Sequence, residues 1–374
     1  MKIRVLGSHI TDFGELWDAS LAGLLTEASL RAVEAAGLEL NDIQAVYVSN
    51  MAAGAFDGQV HLGAVVSGLF PHYPPAMRIE GACASGGLAM IAAEQALLSE
   101  TYDTVLVVGV EKMTDVSAAR ATETLAGAAS LSQEYGSTFP GLYALLAQSH
   151  MQVYGTTREH LSAVSVKNHR HALQNPHAQY QKEISMEMAS TSSLVAEPLR
   201  LFDCSPLSDG AAAVVLSSKA HQSHDPHIVA FGHGMDAFSL AERTSLTSLH
   251  ATKQAAARAF HVSGYQPKDF PLIEVHDCFT IAELLALEDL GFFTPGEAGP
   301  ATLNGKTTVG GKVVVNLSGG LKASGHPVGA TGIKQIAFLA EQLRTEQYPR
   351  ALAHNVGGSG ATAVVHLFEA GGAA

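Results

Sequence analysis

The chain has 374 residues, of which 47% are hydrophobic and 15% charged, and its formal net charge is −13. That is enough for one large domain or two ordinary ones with ample core; it excludes a disordered chain and argues against nucleic acid or an anionic membrane as the main partner. Three widely spaced cysteines, Cys83, Cys204 and Cys278, offer neither a disulfide framework nor a zinc spacing, so a reducing, cytoplasmic setting is expected. No targeting peptide is expected, and no apolar run is long enough to span a bilayer.

Residues 1–5 read as a strand. Leu21, Leu24, Leu25, Ala28 and Ala32 then recur at helical spacing, with Gly37 as the C-terminal cap. A short strand at 45–49 and a helix through Leu62, Val65, Val66 and Leu69, stopped by Pro71, come next. A β-like run at 76–80 ends in Gly81-Ala82, and Cys83 opens a helix carrying Leu88, Ile91, Ala92 and Ala96. The apolar run at 104–110 suits a strand buried on both faces, and strands alternating with helices are the α/β signature.

From about 112 to 198 strands are hard to find, and the stretch reads as a loop-and-helix insertion with a capping-box helix start at Thr156-Thr157-Arg158-Glu159. The α/β pattern resumes at 203–217. A second half begins near Ile228, with a helix around 248–260, a strand at 272–276 and a helix at 281–290. A strand at 313–317 follows, then the glycine-rich segment 319–332, a helix through Ile333, Ile336, Ala337, Ala340 and Leu343, and strands near 351–356 and 361–367. Gly210-Ala211-Ala212-Ala213-Val214-Val215 is echoed by Gly360-Ala361-Thr362-Ala363-Val364-Val365, with the same element order before each, so an internal duplication is expected. The predicted domains are 1–220, containing the insertion, and 221–374.

Four clusters carry chemistry. At Cys83 the unpaired N–H groups of a first helical turn and the helix dipole favour thiolate over thiol; the alternative is a small apolar residue in a buried turn. His276-Asp277-Cys278-Phe279 lies where a strand runs out and a helix begins, the place where α/β sheets put ligands. It supplies two metal ligands at most, so no metal is expected, and His276 alone reads as a buried, hydrogen-bonded histidine. Residues 319–332 surround His326 with glycines, as a backbone brought close to a ligand would, but lack the P-loop ending and the dinucleotide fingerprint. Asn355-Val356-Gly357-Gly358 by itself reads as a hairpin turn, and Cys204 as structural.

Together these motifs resemble the thiolase superfamily over nearly the whole chain. Gly81–Gly86 is similar to its nucleophile motif and Phe202–Ala213 to the strand that re-enters after its loop domain. Gly325-His326-Pro327, with Gly329 and Gly332, is similar to its histidine motif, and Asn355–Gly358 to its last motif. Many thiolases place a second catalytic cysteine where this chain has Asn355. The His-Asp-Cys-Phe form at 276–279 instead resembles the sterol-carrier-type and archaeal-type acetoacetyl-CoA thiolases, in which that cysteine does the second job.

The resemblance implies two duplicated α/β halves in a layered αβαβα arrangement, with a loop domain in the first half. It implies acetyl-CoA C-acetyltransferase activity: reversible Claisen condensation of acetyl-CoA to acetoacetyl-CoA through an acyl-cysteine, without a cofactor. A broader 3-ketoacyl-CoA thiolase and a scaffold subunit of a multi-enzyme complex are the alternatives. Cys83 takes the nucleophile's role, His326 that of its base, Cys278 that of the base for the α-proton, and His276 with His326 that of enolate donors. The N–H groups of Cys83 and Gly357, with Asn355 beside them, are expected at the tetrahedral oxyanion. Arg158, Lys167, Arg170 and Lys182 are candidates for the phosphates of CoA, a solvated helix face being the plainer reading of each. The resemblance further implies a homodimer or homotetramer, a small zinc-ribbon/OB-fold partner and HMG-CoA synthase. A decarboxylating ketosynthase has no need of Cys278, and retro-aldolase relatives dispense with the nucleophilic cysteine.

Overall fold

Ten strands join in one sheet in the computed structural model, which describes residues 2–219 and 224–372. They are β1 (Ile3–Ile10), β2 (Ala45–Ser49), β3 (Ala76–Ile79), β4 (Thr104–Glu111), β5 (Gly210–Ser217), β6 (His227–Met235), β7 (Leu272–Glu274), β8 (Val314–Val315), β9 (Arg350–Gly357) and β10 (Thr362–Glu369). Their order is β8-β7-β9-β10-β6-β1-β5-β4-β2-β3. Read inward from either end, both halves run third, second, fourth, fifth, first, so one topology occurs twice. The halves meet where β1 and β6 pair antiparallel through only Ile3↔Ile228 and Arg4↔His227. The expected boundary at 220–221 lies outside the described residues.

The longer helices are α1 (Leu21–Ala35), α2 (Ser85–Leu98), α3 (Phe139–Tyr154), α4 (Arg158–Ala172), α5 (His250–Ser263), α6 (Thr280–Asp289) and α7 (Thr331–Arg344). α1 is capped by Ser20, whose hydroxyl accepts from Gly23 N, and it lays Leu21, Leu24, Leu25, Ala28 and Ala32 on the outer face of the first half. α2 and α7 fill the layer between the halves, where Met90, Ala93, Ile333 and Ile336 join one core with Val105, Val214, Ala351 and Phe368. α5 and α6 cover the outer face of the second half. The result is the expected layered α/β arrangement. In the insertion, α4 is capped one residue later than expected, by Thr157 with His160, and buries polar residues as well as Leu161 and Val164.

α2 and α7 cross on glycine. A Cβ on Gly86 would lie 2.8 Å from the Gly332 Cα, and one on Gly332 would lie 2.4 Å from Asn355 Oδ1 and 2.7 Å from Gly87 N. This close crossing brings the starts of both helices, and the turns that precede them, to one place. Gly332→Ala should therefore lower the denaturant midpoint by an overpacking cost of about 1–3 kcal/mol. An unchanged midpoint would show that the crossing is looser than described.

Candidate active site

The turn that carries Cys83 follows β3. Gly81 N donates to Ser85 Oγ (3.0 Å), Ala82 N to Glu80 Oε1 (2.6 Å) and Ser85 Oγ to Ala82 O (2.6 Å). These bonds hold Ala82 at φ 53°, a left-handed conformation that costs a residue with a Cβ of order 1–3 kcal/mol. Cys83 sits in the single 3-10 turn Ala82–Ala84 that leads into α2. The thiolate expected at a helix start does not prevail. Burial pushes the thiol up to about 12, although the N–H groups of Gly358 and of Cys83 itself donate toward the sulfur.

His326 lies in the loop before α7. Its Nδ1 is 2.7 Å from Thr331 Oγ1, and that hydroxyl donates its one proton to Pro327 O at 3.0 Å. Nδ1 must therefore be the donor, which leaves Nε2 as an unprotonated base. Burial holds this imidazole down to about 3.

His276 is set the opposite way. Asn355 Nδ2 donates to its Nδ1 at 3.2 Å, so the ring proton is on Nε2, which is buried without a hydrogen-bond partner. The Asn355 amide is oriented by Gly87 N, which donates to Oδ1 at 3.0 Å, while Nδ2 also reaches Cys83 O at 2.9 Å. The two rings stand at 83° with centroids 5.1 Å apart. The Cys83 sulfur and one nitrogen of each ring all lie within 4.8 Å of one another.

Cys83, Cys278 and His326 open on one cavity of about 200 Å³, with Tyr143, Phe279 and Gly358 beside them and Met113, Leu125, Phe139 and Leu207 as apolar walls. Burial drives the Cys278 thiol well above its ordinary range, with Cys83 and Asp277 adding to the effect. A second cavity, of about 350 Å³, shares Ser205 and Pro206 with the first and is lined by His169, Tyr180, Lys182, Phe202 and Lys322. The Lys322 ammonium lies 5.9 Å and 5.6 Å from the Tyr180 and Phe202 ring centres, and burial lowers it to about 8.

Several expected roles are corrected by these positions. The Gly358 N–H lies toward the Cys83 sulfur, next in the chain to the Gly357 N–H expected at the oxyanion. Asn355 and His276 both lie behind the cavity rather than among its lining residues, with Asn355 positioning the His276 ring. Lys167 is buried and committed to Glu283 (3.0 Å) and Val315 O (2.9 Å), so it cannot meet a phosphate. Arg158 is engaged with both carboxylate oxygens of Asp203. Arg170 is exposed, 3.8 Å from Glu183, and lines neither cavity; Lys182 does line the second. Sequence reasoning missed Tyr143, which lies in no motif, and Lys322, whose signal was a lone cation inside a run of Gly, Ala and Ser.

Family models match the chain in two blocks: "Thiolase, N-terminal domain" over residues 3–220 and "Thiolase C-terminal domain-like" over 232–370. The chain belongs to the thiolase family. This thiolase is 45% identical to acetyl-CoA acetyltransferase of Methanothermobacter thermautotrophicus, over 98% of this chain and 99% of that relative. It is 32% identical to sterol carrier protein 2 of Bos taurus, over 99% of this chain and 72% of that relative. The solved Ltp2-ChsH2(DUF35) aldolase shares its fold, with a TM-score of 0.85 at 23% identity over 100% of this chain and 99% of that one.

Burial disfavours a preformed thiolate–imidazolium pair at Cys83 in the resting thiolase. Alkylation of Cys83 by iodoacetamide in the substrate-free enzyme should rise with pH without levelling off below about pH 9. A plateau near neutrality would mean that a thiolate–imidazolium pair exists instead.

Proposed function

We propose that this thiolase is an acetyl-CoA C-acetyltransferase that interconverts acetyl-CoA and acetoacetyl-CoA. One observation carries the reading: two thiols, Cys83 and Cys278, open on a single cavity beside an imidazole whose Nε2 can only accept a proton. The 45% and 42% identity to two curated acetyl-CoA acetyltransferases over nearly the whole chain supports it. The small volume between Phe139, Leu125 and Met113 favours a short acyl group over a long one.

In the first half-reaction Cys83 attacks the thioester carbonyl as its proton passes to His326 Nε2, so that thiolate and imidazolium form only as substrate charge develops. The N–H groups of Cys83 and of the Gly357-Gly358 turn are the donors proposed for the forming oxyanion; losing one such donor costs about 2.7–4 kcal/mol. The departing CoA thiolate takes the Cys278 proton. Cys278 then removes the α-proton of a second acetyl-CoA, and His276 Nε2–H, free of any protein partner, donates to the enolate oxygen. Carbon–carbon bond formation expels Cys83, which recovers its proton from His326.

Cys83, His276 and His326 also have the number of donors a metal ion accepts. Proton transfer suits them better. The outer nitrogens of both rings rest on a hydroxyl and an amide rather than on the carboxylates or carbonyls that support metal ligands.

For CoA, Lys182 and Lys322 at the second cavity offer positive charge next to the reacting centre. Lys182→Ala should raise KM for acetyl-CoA several-fold with kcat unchanged; an unchanged KM would remove it from the binding site. The exposed edge of β3, with Met77 53% exposed, supports pairing with a second copy in a homodimer. The aldolase that shares the fold is named together with a DUF35 chain, which supports a small partner here as well; co-purification tests it. No described helix is long and apolar enough to cross a membrane.

Incubation with acetoacetyl-CoA should add one acetyl group to Cys83 by intact mass. Cys278→Ala should still acylate but lose about 10²–10⁴-fold in condensation. Absence of any adduct would refute the acyl-enzyme, and unimpaired condensation would remove Cys278 from the reaction.

A further inference from the structure

We propose that Tyr143 is a catalytic residue of the second half-reaction: its hydroxyl turns its single proton from the Gly358 carbonyl to the sulfur of Cys278 and holds that residue as the thiolate that takes the α-proton. The proposal rests on the thiolase reading of the site and deepens it, since Tyr143 comes from the insertion rather than from any of the motifs.

Tyr143 is fully buried on α3, and its ring is stacked on Phe279 with centroids 4.6 Å apart and planes at 30°. Phe279 follows Cys278 in the chain, so the stacking brings the phenol hydroxyl to the thiol. That hydroxyl donates to Gly358 O at 3.2 Å and lines the same cavity as the Cys278 thiol. A hydroxyl has one proton and a carbonyl only accepts. At rest, then, the phenol proton is committed to Gly358 and is not on the Cys278 sulfur.

Deprotonation changes this balance. The S–H donor disappears and an anionic acceptor takes its place. A hydrogen bond to an ionised acceptor is roughly twice as strong as a neutral one, so the O–H turns to the sulfur. Cys83 from the nucleophile turn and Asp277 on the same turn both oppose a second negative charge, and the Phe279 N–H assists. His326 shares the cavity and is an imidazolium in the acetyl-enzyme, but its Nδ1–H is committed to Thr331 and its Nε2 proton is the one Cys83 recovers, so Tyr143 adds a second donor beside it. Arg243 lies behind Tyr143, donating to Ser359 O at 2.7 Å, and acts on the phenol rather than on the thiol.

The step balances without any further reagent. The leaving CoA thiolate takes the proton of Cys278, and the sulfur keeps the bonding pair. That pair then forms the S–H bond to the α-proton, while the C–H pair passes into the enolate. Tyr143 keeps its own proton throughout.

Tyr143→Phe retains the stacked ring and removes only the donor. Acetylation of Cys83 in a single turnover, which ends with the Cys278 proton passing to the CoA thiolate, should fall less than the exchange step. Exchange of the acetyl-CoA methyl protons with D2O on the acetyl-enzyme should fall by about tenfold or more. In a Cys83→Ser background the pH midpoint for alkylation of Cys278 should move upward by about one unit or more with Tyr143→Phe. It should move downward when 3-fluorotyrosine, a more acidic donor of nearly the same shape, replaces Tyr143. Equal losses in acetylation and exchange, or a midpoint that neither replacement moves, would overturn the proposal. Should Tyr143→Phe not fold, the direction of the fluorotyrosine shift decides by itself. Failure of the wild-type enzyme to acetylate or exchange would count against the acetyltransferase reading, while the alkylation midpoint would still report on Tyr143.

Discussion

One buried amide ties the reactive residues together. Asn355 receives Gly87 N on its oxygen and gives its two protons to the Cys83 carbonyl and to His276 Nδ1. It thereby fixes the nucleophile's turn, the helix behind it and the tautomer of a histidine from the other half of the chain. The bonds form because α2 and α7 cross on Gly86 and Gly332, so closely that a methyl group at either position would collide. The duplicated fold supplies two helix starts in the central layer. The absence of side chains at their crossing lets both reach the same few ångströms.

Desolvation governs how the site works. Burial raises both thiols and lowers both imidazoles, so all four groups are neutral before substrate arrives. In the proposed reaction each proton transfer is coupled to charge developing on the thioester or enolate. The Gly358 N–H and the unpartnered His276 Nε2–H serve there as fixed donors for that charge. Buried preorganised donors of this kind need no reorganisation at the moment of reaction.

The α/β fold and the duplication were legible because alternating apolar strands and helices leave a periodic trace, repeated at Gly210–Val215 and Gly360–Val365. Cys83 and His326 were legible because each lies in a turn of small residues with no other evident purpose, and Cys278 because it stands where a strand runs out and a helix begins. The side-chain orientations were not. Whether Gly357 or Gly358 points its amide at the sulfur depends on the positive φ of Gly358, at 62°. Lys167 on α4 looked like a cation for phosphate, but its partner Glu283 is on α6 in the other half, and only tertiary packing joins them. Tyr143 was hidden because an aromatic residue in an apolar helix reads as core. The fate of its hydroxyl depends on Phe279 and Gly358, far away in the chain.

Reaction with 1,3-dibromoacetone, which joins two thiols through three carbons, tests most directly whether Cys83 and Cys278 share one cavity. One equivalent should consume both thiols, and digestion should yield a single cross-linked species containing the Cys83 and Cys278 peptides. Two separate adducts, with no bridge between those peptides, would show that the sulfurs face different spaces and that they do not act in turn on one substrate.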